Sequence, residues 1–228
     1  MTTNRASSRD IDEYLRHFSH YARPGMLNVI CNECFDGDYV LQLFTEHARM
    51  IQGTDRAVLY LSECHSQRQL FRKASMRLAK LDGIGQRPMQ SLPFFTLSSK
   101  AAFCCLDVVS IVERYSLSGF IPEVVVLECC QRDSDPIALE ETIKQWLAVA
   151  MYCNVTVWVS YPMHGAEGLE TIAKWANTVA TMQVGHTPHE AVMRLRNERL
   201  HFCGSLALEH DAKTCRVKER FQWGKQCV

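Results

Sequence analysis

Five short apolar segments, each followed by a longer segment with helical periodicity, alternate along residues 26–177 of this 228-residue chain. The predicted strands are 26–31, 56–62, 93–97, 123–129 and 154–160, and the predicted helices are 38–51, 66–82, 99–116, 136–152 and 166–177. Runs such as Val124–Leu127 are apolar throughout, which is typical of strands covered on both faces. This alternation predicts an α/β fold with a mostly parallel central sheet flanked by helices.

The pattern changes after residue 178, where short alternating strands are predicted at 178–184, 190–197, 202–209 and 214–221. These strands predict an antiparallel β extension at the end of the sheet. Ahead of the first strand, Ile11, Tyr14, Leu15 and Phe18 recur at helical spacing. We therefore expect an N-terminal amphipathic arm at 1–22 and one domain at 23–228.

Composition excludes several classes of protein. The chain has 25 basic and 25 acidic residues, so no global field draws it to nucleic acid or to a membrane surface. We expect no membrane partner, because no apolar run approaches the ~18 residues of a membrane span. Eleven cysteines without a secretory signal predict free thiols in a reducing cytoplasmic or other intracellular compartment, not a secreted protein.

The segment between the first strand and the first helix has the setting of a phosphate-binding loop, whose signature is G-x-x-x-x-G-K-[ST]. Counted back from Gly37, the first glycine of that signature is Asn32, the lysine is Asp38, and the hydroxyl residue is Tyr39. An aspartate adds negative charge where the lysine would neutralise phosphate. We interpret these residues as a degenerate P-loop and expect no nucleotide cofactor.

Six stretches, in this order, resemble the RecA-like ATPase domain, most closely the C-terminal motor domain of DnaB-type replicative helicases. They are Arg23–Ile30, Val58–Leu70, Glu123–Glu128, Ile143–Met163, Ile172–Asn177 and Arg196–Leu208. The resemblance spans about residues 23–220 and rests on the order and spacing of the stretches together. It implies a RecA-like sheet and a site shared between neighbouring subunits.

The resemblance also assigns positions. Glu63 matches the catalytic glutamate, Glu128 the Walker B aspartate, and Arg199 the arginine finger. Tyr161 stands where the family has a sensor glutamine, and Asn197 where it has a finger lysine. Because both P-loop groups are lost, the resemblance implies a pseudo-ATPase in which Glu63, Glu128 and Arg199 are vestigial. The alternative for the two glutamates is that polar residues simply end strands at a solvated edge.

Two groups of residues suggest other ligands. Basic residues that could contact phosphates are Arg68, Arg72, Lys73, Arg77 and Lys80 on one predicted helix, with Arg194 and Arg196 near the end. The alternative interpretation of the basic residues on the helix is that they form its exposed outer face. Thiolate and imidazole ligands for zinc could come from Cys31, Cys34, Cys64, His65, Cys129 and Cys130 at strand ends. Buried small cysteines explain that set more simply, so we expect no metal.

The sequence therefore predicts a catalytically inactive RecA/DnaB-like protein that works through protein contacts, as an accessory or regulator in DNA replication or recombination. Its expected partner is a RecA-like or replication protein, or further copies of the chain. Two alternatives remain open: a module that binds single-stranded DNA through basic patches, and a weak or metal-dependent enzyme at the former nucleotide site.

Overall fold

A computed structural model describes residues 23–32, 38–51, 54–82, 95–129, 135–162, 168–184, 190–197, 202–211 and 216–223. The helices are α1 (Asp38–Met50), α2 (Gln67–Asp82), α3 (Cys105–Leu117), α4 (Pro136–Cys153) and α5 (Leu169–Trp175). The strands are β1 (Leu27–Asn32), β2 (Arg56–Ser62), β3 (Phe95–Ser99), β4 (Ile121–Glu128), β5 (Thr156–Pro162), β6 (Thr178–Val184), β7 (Glu190–Asn197), β8 (Phe202–Asp211) and β9 (Arg216–Trp223). The predicted arm at 1–22 lies outside the described residues and stays a prediction.

The strands form one sheet in the order β3-β2-β4-β5-β1-β6-β7-β8-β9. The first six strands along the chain pair in parallel, and β6 to β9 pair antiparallel with one another. The parallel α/β core is as expected, but one assignment was wrong. Strand 178–184 was grouped with the antiparallel strands, whereas β6 is parallel to β1 because α5 forms a crossover before it.

Both faces of the parallel strands are buried, which explains their continuous apolar runs. Residues Val124 and Val126 face α1 and α2, and the alternating residues Val125 and Leu127 face α3, α4 and α5. Each fully buried side chain of this size stabilises the fold by roughly 1.5–3 kcal/mol relative to exposure. The hydrophobic core therefore consists of two layers that hold the strand ends in fixed positions.

Local signals account for the position of α4. The carboxylate of Asp135 accepts a hydrogen bond from the backbone N–H of Ile137, and Pro136 occupies the first turn. The helix ends at Asn154, whose φ of 53° lies in the left-handed region that asparagine tolerates. These are the bounds expected from the sequence to within one residue.

The start of α3 was predicted wrongly. The expected helix began at residue 99, but residues 100–104 lie outside the helix and α3 begins at Cys105. The reason is a contact that is distant in sequence: the Phe103 N–H donates to Glu63 Oε1 at 2.8 Å. This bond fixes the loop to the end of β2 and leaves Cys104 as the residue that precedes the first helical turn.

In the part of the chain that the structure describes, no helix combines the length and apolar character needed to cross a membrane.

Candidate functional site at the carboxyl edge of the sheet

The carboxyl ends of the parallel strands meet at one edge of the sheet, where α/β proteins place their ligands. Asn32 ends β1, Ser62 ends β2 and Glu128 ends β4. Helix α1 follows β1 and begins at Asp38, with Tyr39 as its second residue. The strand and the helix expected on either side of the P-loop are therefore present, and Gly37 with the rest of 33–37 lies outside the described residues.

Glu128 is the centre of a buried polar network at this edge. Its Oε2 atom accepts a hydrogen bond from Ser62 Oγ at 2.6 Å and lies 3.2 Å from His65 Nδ1. Only 5% of the Glu128 side chain and 15% of the His65 side chain are exposed. A carboxylate in such surroundings is stable only when it has partners, because an unpaired buried charge is costly.

Lys73 extends the network from α2. Its ammonium nitrogen lies 3.1 Å from His65 Nε2. Because a lysine ammonium can only donate, we assign the neutral tautomer in which His65 Nε2 accepts and Nδ1–H donates to Glu128. The imidazole therefore links a cation on one side to an anion on the other. We call Ser62, His65, Lys73 and Glu128 the Glu128 network.

The turn after β2 holds His65 in place. Ser62 Oγ accepts hydrogen bonds from the backbone N–H groups of Cys64, at 3.2 Å, and His65, at 3.1 Å. The backbone N–H of Glu63 donates to the Glu128 carbonyl at 2.8 Å. Ser62 thus serves as donor to the carboxylate and as acceptor for the turn, so its hydroxyl is fully used.

The side chain of Glu63, which matches the catalytic glutamate, is engaged by a different segment. Its Oε1 atom accepts the Phe103 N–H at 2.8 Å, and its side chain is partly exposed. Nearby, Lys100 Nζ pairs with Asp107 Oδ2 at 2.7 Å. The hydrogen bond from Lys100, together with that from the Cys104 backbone, lowers the pKa of Asp107 to about 2. The carboxylates on this side of the edge therefore fix the loop before α3.

The remaining candidates are scattered. Arg68 and Arg72 are exposed on α2, whereas Lys73 is half-buried against His65. The side chains of Arg77 and Lys80 lie outside the description. Arg194 and Arg196 are exposed on β7, and Arg199 lies in the undescribed segment 198–201. Tyr161 is buried on β5, opposite Cys31 of β1.

The end of β7, which precedes Arg199 in the sequence, lies far from this edge within one chain. Arg196 pairs with Val179 near the start of β6, so the end of β7 at Asn197 lies at the amino edge of the parallel strands. Glu128 lies at the carboxyl edge. Six residues of strand at about 3.3 Å each put roughly 20 Å between the two edges.

Among the described residues, no three His, Cys, Asp or Glu side chains are placed to hold a metal ion, so the structure gives no support to the zinc hypothesis there. Cys34 and Cys130 of the six-residue set lie outside the description. Among the described cysteines, Cys31, Cys64, Cys104, Cys105, Cys129 and Cys153 form no disulfide. Of the six residues predicted as possible zinc ligands, the structure places His65 in the Glu128 network.

The sequence analysis did not predict that the four residues of the Glu128 network lie together. Ser62 was not a candidate, Lys73 was assigned to a basic stripe, and His65 was assigned to a metal set. The useful signal was the spacing of His65 and Lys73, eight residues apart across the start of α2. A lysine two turns into a helix can fold back over the turn that precedes it.

Comparisons with known proteins identify the class of fold. A DnaB-like replicative helicase, described with its interactions with primase, has a TM-score of 0.61 and 9% identity over 86% of this chain and 57% of the helicase chain. An ATPase domain has the same TM-score and identity over 95% of this chain and 99% of that domain. No protein-family model matches, and no curated protein matches by sequence.

The chain therefore has the RecA-like fold found in replicative helicase ATPase domains, as the resemblance implied. It spans 57% of the length of the DnaB-like helicase that it matches. At 9% identity the likeness concerns the fold, and the activity of those proteins is a separate question.

Proposed function

We propose that this protein is a RecA-like pseudo-ATPase, one that keeps the fold of a nucleotide motor and acts through contacts with other proteins. The observation that carries the proposal is the Glu128 network. In the family resemblance, Glu128 stands where a carboxylate holds Mg²⁺. Here its Oε2 atom is engaged by the Ser62 hydroxyl and the His65 ring, with the Lys73 cation behind.

This network supplies internally the positive charge that a bound metal ion would provide. A magnesium ion at Glu128 would displace the His65 N–H and approach the Lys73 ammonium, which are unfavourable changes at a buried site. A metal-assisted transfer of phosphate needs that ion to neutralise developing charge. The arrangement thus favours a structural role for Glu128, in which its carboxylate binds neighbouring side chains and not a metal ion.

Asp38, at the start of α1, is a second observation that supports the same proposal. It is the first residue of α1, where the positive end of the helix dipole attracts negative charge. A P-loop lysine near this position attracts phosphate, whereas a carboxylate about 4 Å from a phosphate charge costs about 4 kcal/mol at an effective dielectric of 20. Phosphate would compete with an acidic residue for the helix terminus.

The role in protein contacts follows from the retained fold. RecA-like domains assemble edge to edge, with the finger segment of one subunit against the nucleotide edge of the next. The roughly 20 Å between these two edges fits contacts between subunits. We propose a replication or recombination protein with a RecA-like domain, or a second copy of this chain, as the partner, in a reducing intracellular compartment.

Nucleotide binding is the decisive test. Calorimetry on the full chain with ATP and ADP, with and without Mg²⁺, is expected to detect no binding. The variant Asp38→Lys/Tyr39→Thr is expected to gain measurable affinity for ATP. A control variant, Glu113→Lys, changes charge on the exposed surface of α3 and is expected to gain none. Micromolar binding of Mg²⁺-ATP by the unmodified protein would refute the pseudo-ATPase proposal.

The protein-contact role has its own test. Light scattering coupled to size exclusion gives the subunit number of the protein alone. The same measurement with a purified replicative helicase from the same cell tests for a mixed complex. A monomer that forms no complex with a RecA-like or replication protein would contradict the role, even if nucleotide binding is absent.

A further inference from the structure

Four large apolar side chains are exposed where α3 and α4 end. Leu117 lies in the last turn of α3, and Ile121 begins β4. Met151 and Tyr152 lie in the last turn of α4. Their exposed fractions run from 57% for Ile121 to 89% for Leu117. Both helices end where the next parallel strand begins, so these four residues, here called the amino-edge patch, lie at the edge opposite the Glu128 network.

Two interactions show that α3 and α4 end side by side. At the start of α3, the Cys105 thiol donates to Gln145 Oε1 of α4, with 3.8 Å between sulfur and oxygen. Eight residues further along both helices, Cys153 lies near Glu113: burial raises the pKa of the Cys153 thiol, and the charge of Glu113 raises it further. The equal spacing means that the two helices run parallel and in step, so their last turns are neighbours.

Two residues of the patch lie on the facing sides of these helices. Tyr152 follows Gln145 by seven residues, which is two helical turns, so it lies on the side of α4 that contacts α3. Leu117 follows Glu113 by one turn and lies on the side of α3 that is close to Cys153. Leu117 and Tyr152 therefore border one groove between the helix ends.

The chain enters the domain beside this groove. The Gly25 N–H donates to the Val155 carbonyl at 3.0 Å, and Val155 follows Tyr152 by three residues. The Met26 N–H donates to the Arg23 carbonyl at 3.2 Å, and Gly25 between them has the positive φ, 79°, that the third residue of a type II turn needs. Such a turn reverses the chain, so it directs the segment before Arg23 back along the domain.

We propose that the amphipathic arm predicted at 1–22 docks on the amino-edge patch of its own chain. The arm lies outside the described residues, and its sequence carries four apolar residues at helical spacing: Ile11, Tyr14, Leu15 and Phe18. Phe18 and Arg23 are five residues apart, enough chain to span about 16 Å. The arm can therefore reach the patch without leaving its own subunit. This inference goes beyond the proposed protein-contact function and does not depend on it.

Two physical arguments favour the chain's own arm over a separate molecule. A short linker holds the arm near the patch at an effective concentration in the millimolar range, which a separate copy or another protein does not reach in solution. Docking also removes apolar surface from water on both the arm and the patch. The position of Arg23 beside the end of α4 is what connects these arguments to this surface.

Photocross-linking locates the arm. The photoreactive amino acid p-benzoylphenylalanine replaces Tyr152 in the full chain, and mass spectrometry identifies the linked peptides. We expect links to residues 11–18 in protein of monomer mass, with a yield that stays constant when the protein is diluted about tenfold. The matched control carries the same group in place of Ile137, which is equally exposed at the other end of α4, and should give no link to the arm.

Hydrogen exchange measures how firmly the arm is held. Leu117→Ser/Tyr152→Ser should speed the exchange of the arm amides roughly tenfold, because the apolar contacts that hold the arm are lost. Phe18→Ser should have the same effect from the side of the arm. The matched control, Leu106→Ser/Ile137→Ser, changes equally exposed apolar residues at the other ends of the same helices and should leave the arm amides unchanged. All four helix positions are exposed, so these substitutions leave the domain folded.

Three results would overturn the inference. Links found only in protein of dimer mass, with a yield that falls on dilution, would mean that a second copy covers the patch. Arm amides that exchange in the unmodified protein as fast as in an unstructured peptide, with no link from position 152 to the arm, would mean that the arm does not dock. An equal effect of the patch variant and of Leu106→Ser/Ile137→Ser would show that the amino-edge patch is not the docking site.

Discussion

Two histidines of this protein are held in opposite ways, and they mark two regions with different construction. His65 lies at the carboxyl edge, between the Glu128 carboxylate and the Lys73 ammonium. His47 lies on α1, is buried, and has its pKa lowered to about 4 by desolvation, with a smaller contribution from the charge of Arg56. The first region positions charged groups against one another, and the second excludes charge.

The two regions belong to neighbouring parts of the fold: His47 lies on α1, which follows β1, and His65 follows β2. Helix α1 packs its apolar residues Val40, Leu43 and Phe44 against the sheet, so the helix that would follow a P-loop is firmly anchored. At the carboxyl edge of the parallel strands, the side chains of the Glu128 network bind one another. Helix α1 is thus held by apolar packing, while the polar and charged groups of the Glu128 network contact one another.

The largest expected effect comes from removing the central carboxylate. Glu128→Ala should lower the free energy of unfolding by about 3–5 kcal/mol, because it leaves the His65 N–H and the Ser62 hydroxyl without their common acceptor and removes the carboxylate that the Lys73 cation faces across the His65 ring. Urea denaturation at neutral pH measures this. Glu128→Gln retains an acceptor and should cost less, and Glu113→Ala on the exposed surface of α3 should stay within about 0.5 kcal/mol.

A double-mutant cycle sharpens that result. If the network is one unit, Glu128→Ala and Lys73→Met should cost less together than the sum of the two single changes, since each removes the need for the other. Additive losses would mean that Lys73 and Glu128 do not interact through His65. The Glu128 network and the surroundings of His47 would then differ only in how deeply their residues are buried.

The second effect tests the α1 region by pH. The pKa of His47 is about 4 in the folded protein, against 6.5 for an ordinary histidine. Between these values the unfolded chain binds a proton that the folded chain does not, so stability is unaffected above pH 6.5 and falls as the pH drops towards 4. The total loss is about 3 kcal/mol.

Urea denaturation from pH 7.5 to 4 checks this sign and window. His47→Leu removes the titrating group and should flatten this part of the profile, while His20→Leu in the predicted amino-terminal arm serves as a control histidine change. A wild-type profile that rises as the pH falls from 6.5 would contradict the assignment of a neutral buried His47.

Physical reasons explain which parts of the structure could be predicted from the sequence. Strands β2, β4 and β5 were predictable because residues such as Val124–Leu127 are apolar on both faces, a pattern that depends on no distant contact. The order of segments also led to the RecA-like fold. The direction of β6 was not predictable from its own residues, because it depends on the crossover through α5.

The site was predictable only in part for the same reason. Glu128 and Glu63 were recognised at strand ends, but their partners are set by packing between distant segments. Ser62 meets Glu128 because β2 and β4 are neighbours in the sheet, in register at that pair. Glu63 meets Phe103, 40 residues away, and no local pattern signals that contact.

That last contact carries the smallest expected effect. Glu63→Ala removes the acceptor of the Phe103 N–H and should cost about 1 kcal/mol, less than a buried charged hydrogen bond, because Glu63 is partly exposed. Hydrogen exchange should show faster exchange of the Phe103 amide in Glu63→Ala and little change in Glu63→Gln, whose amide oxygen can still accept. A Phe103 amide that remains equally protected in Glu63→Ala would mean that Glu63 does not hold the loop before α3. Its carboxylate would then be available at the edge, in contrast to the closed network around Glu128.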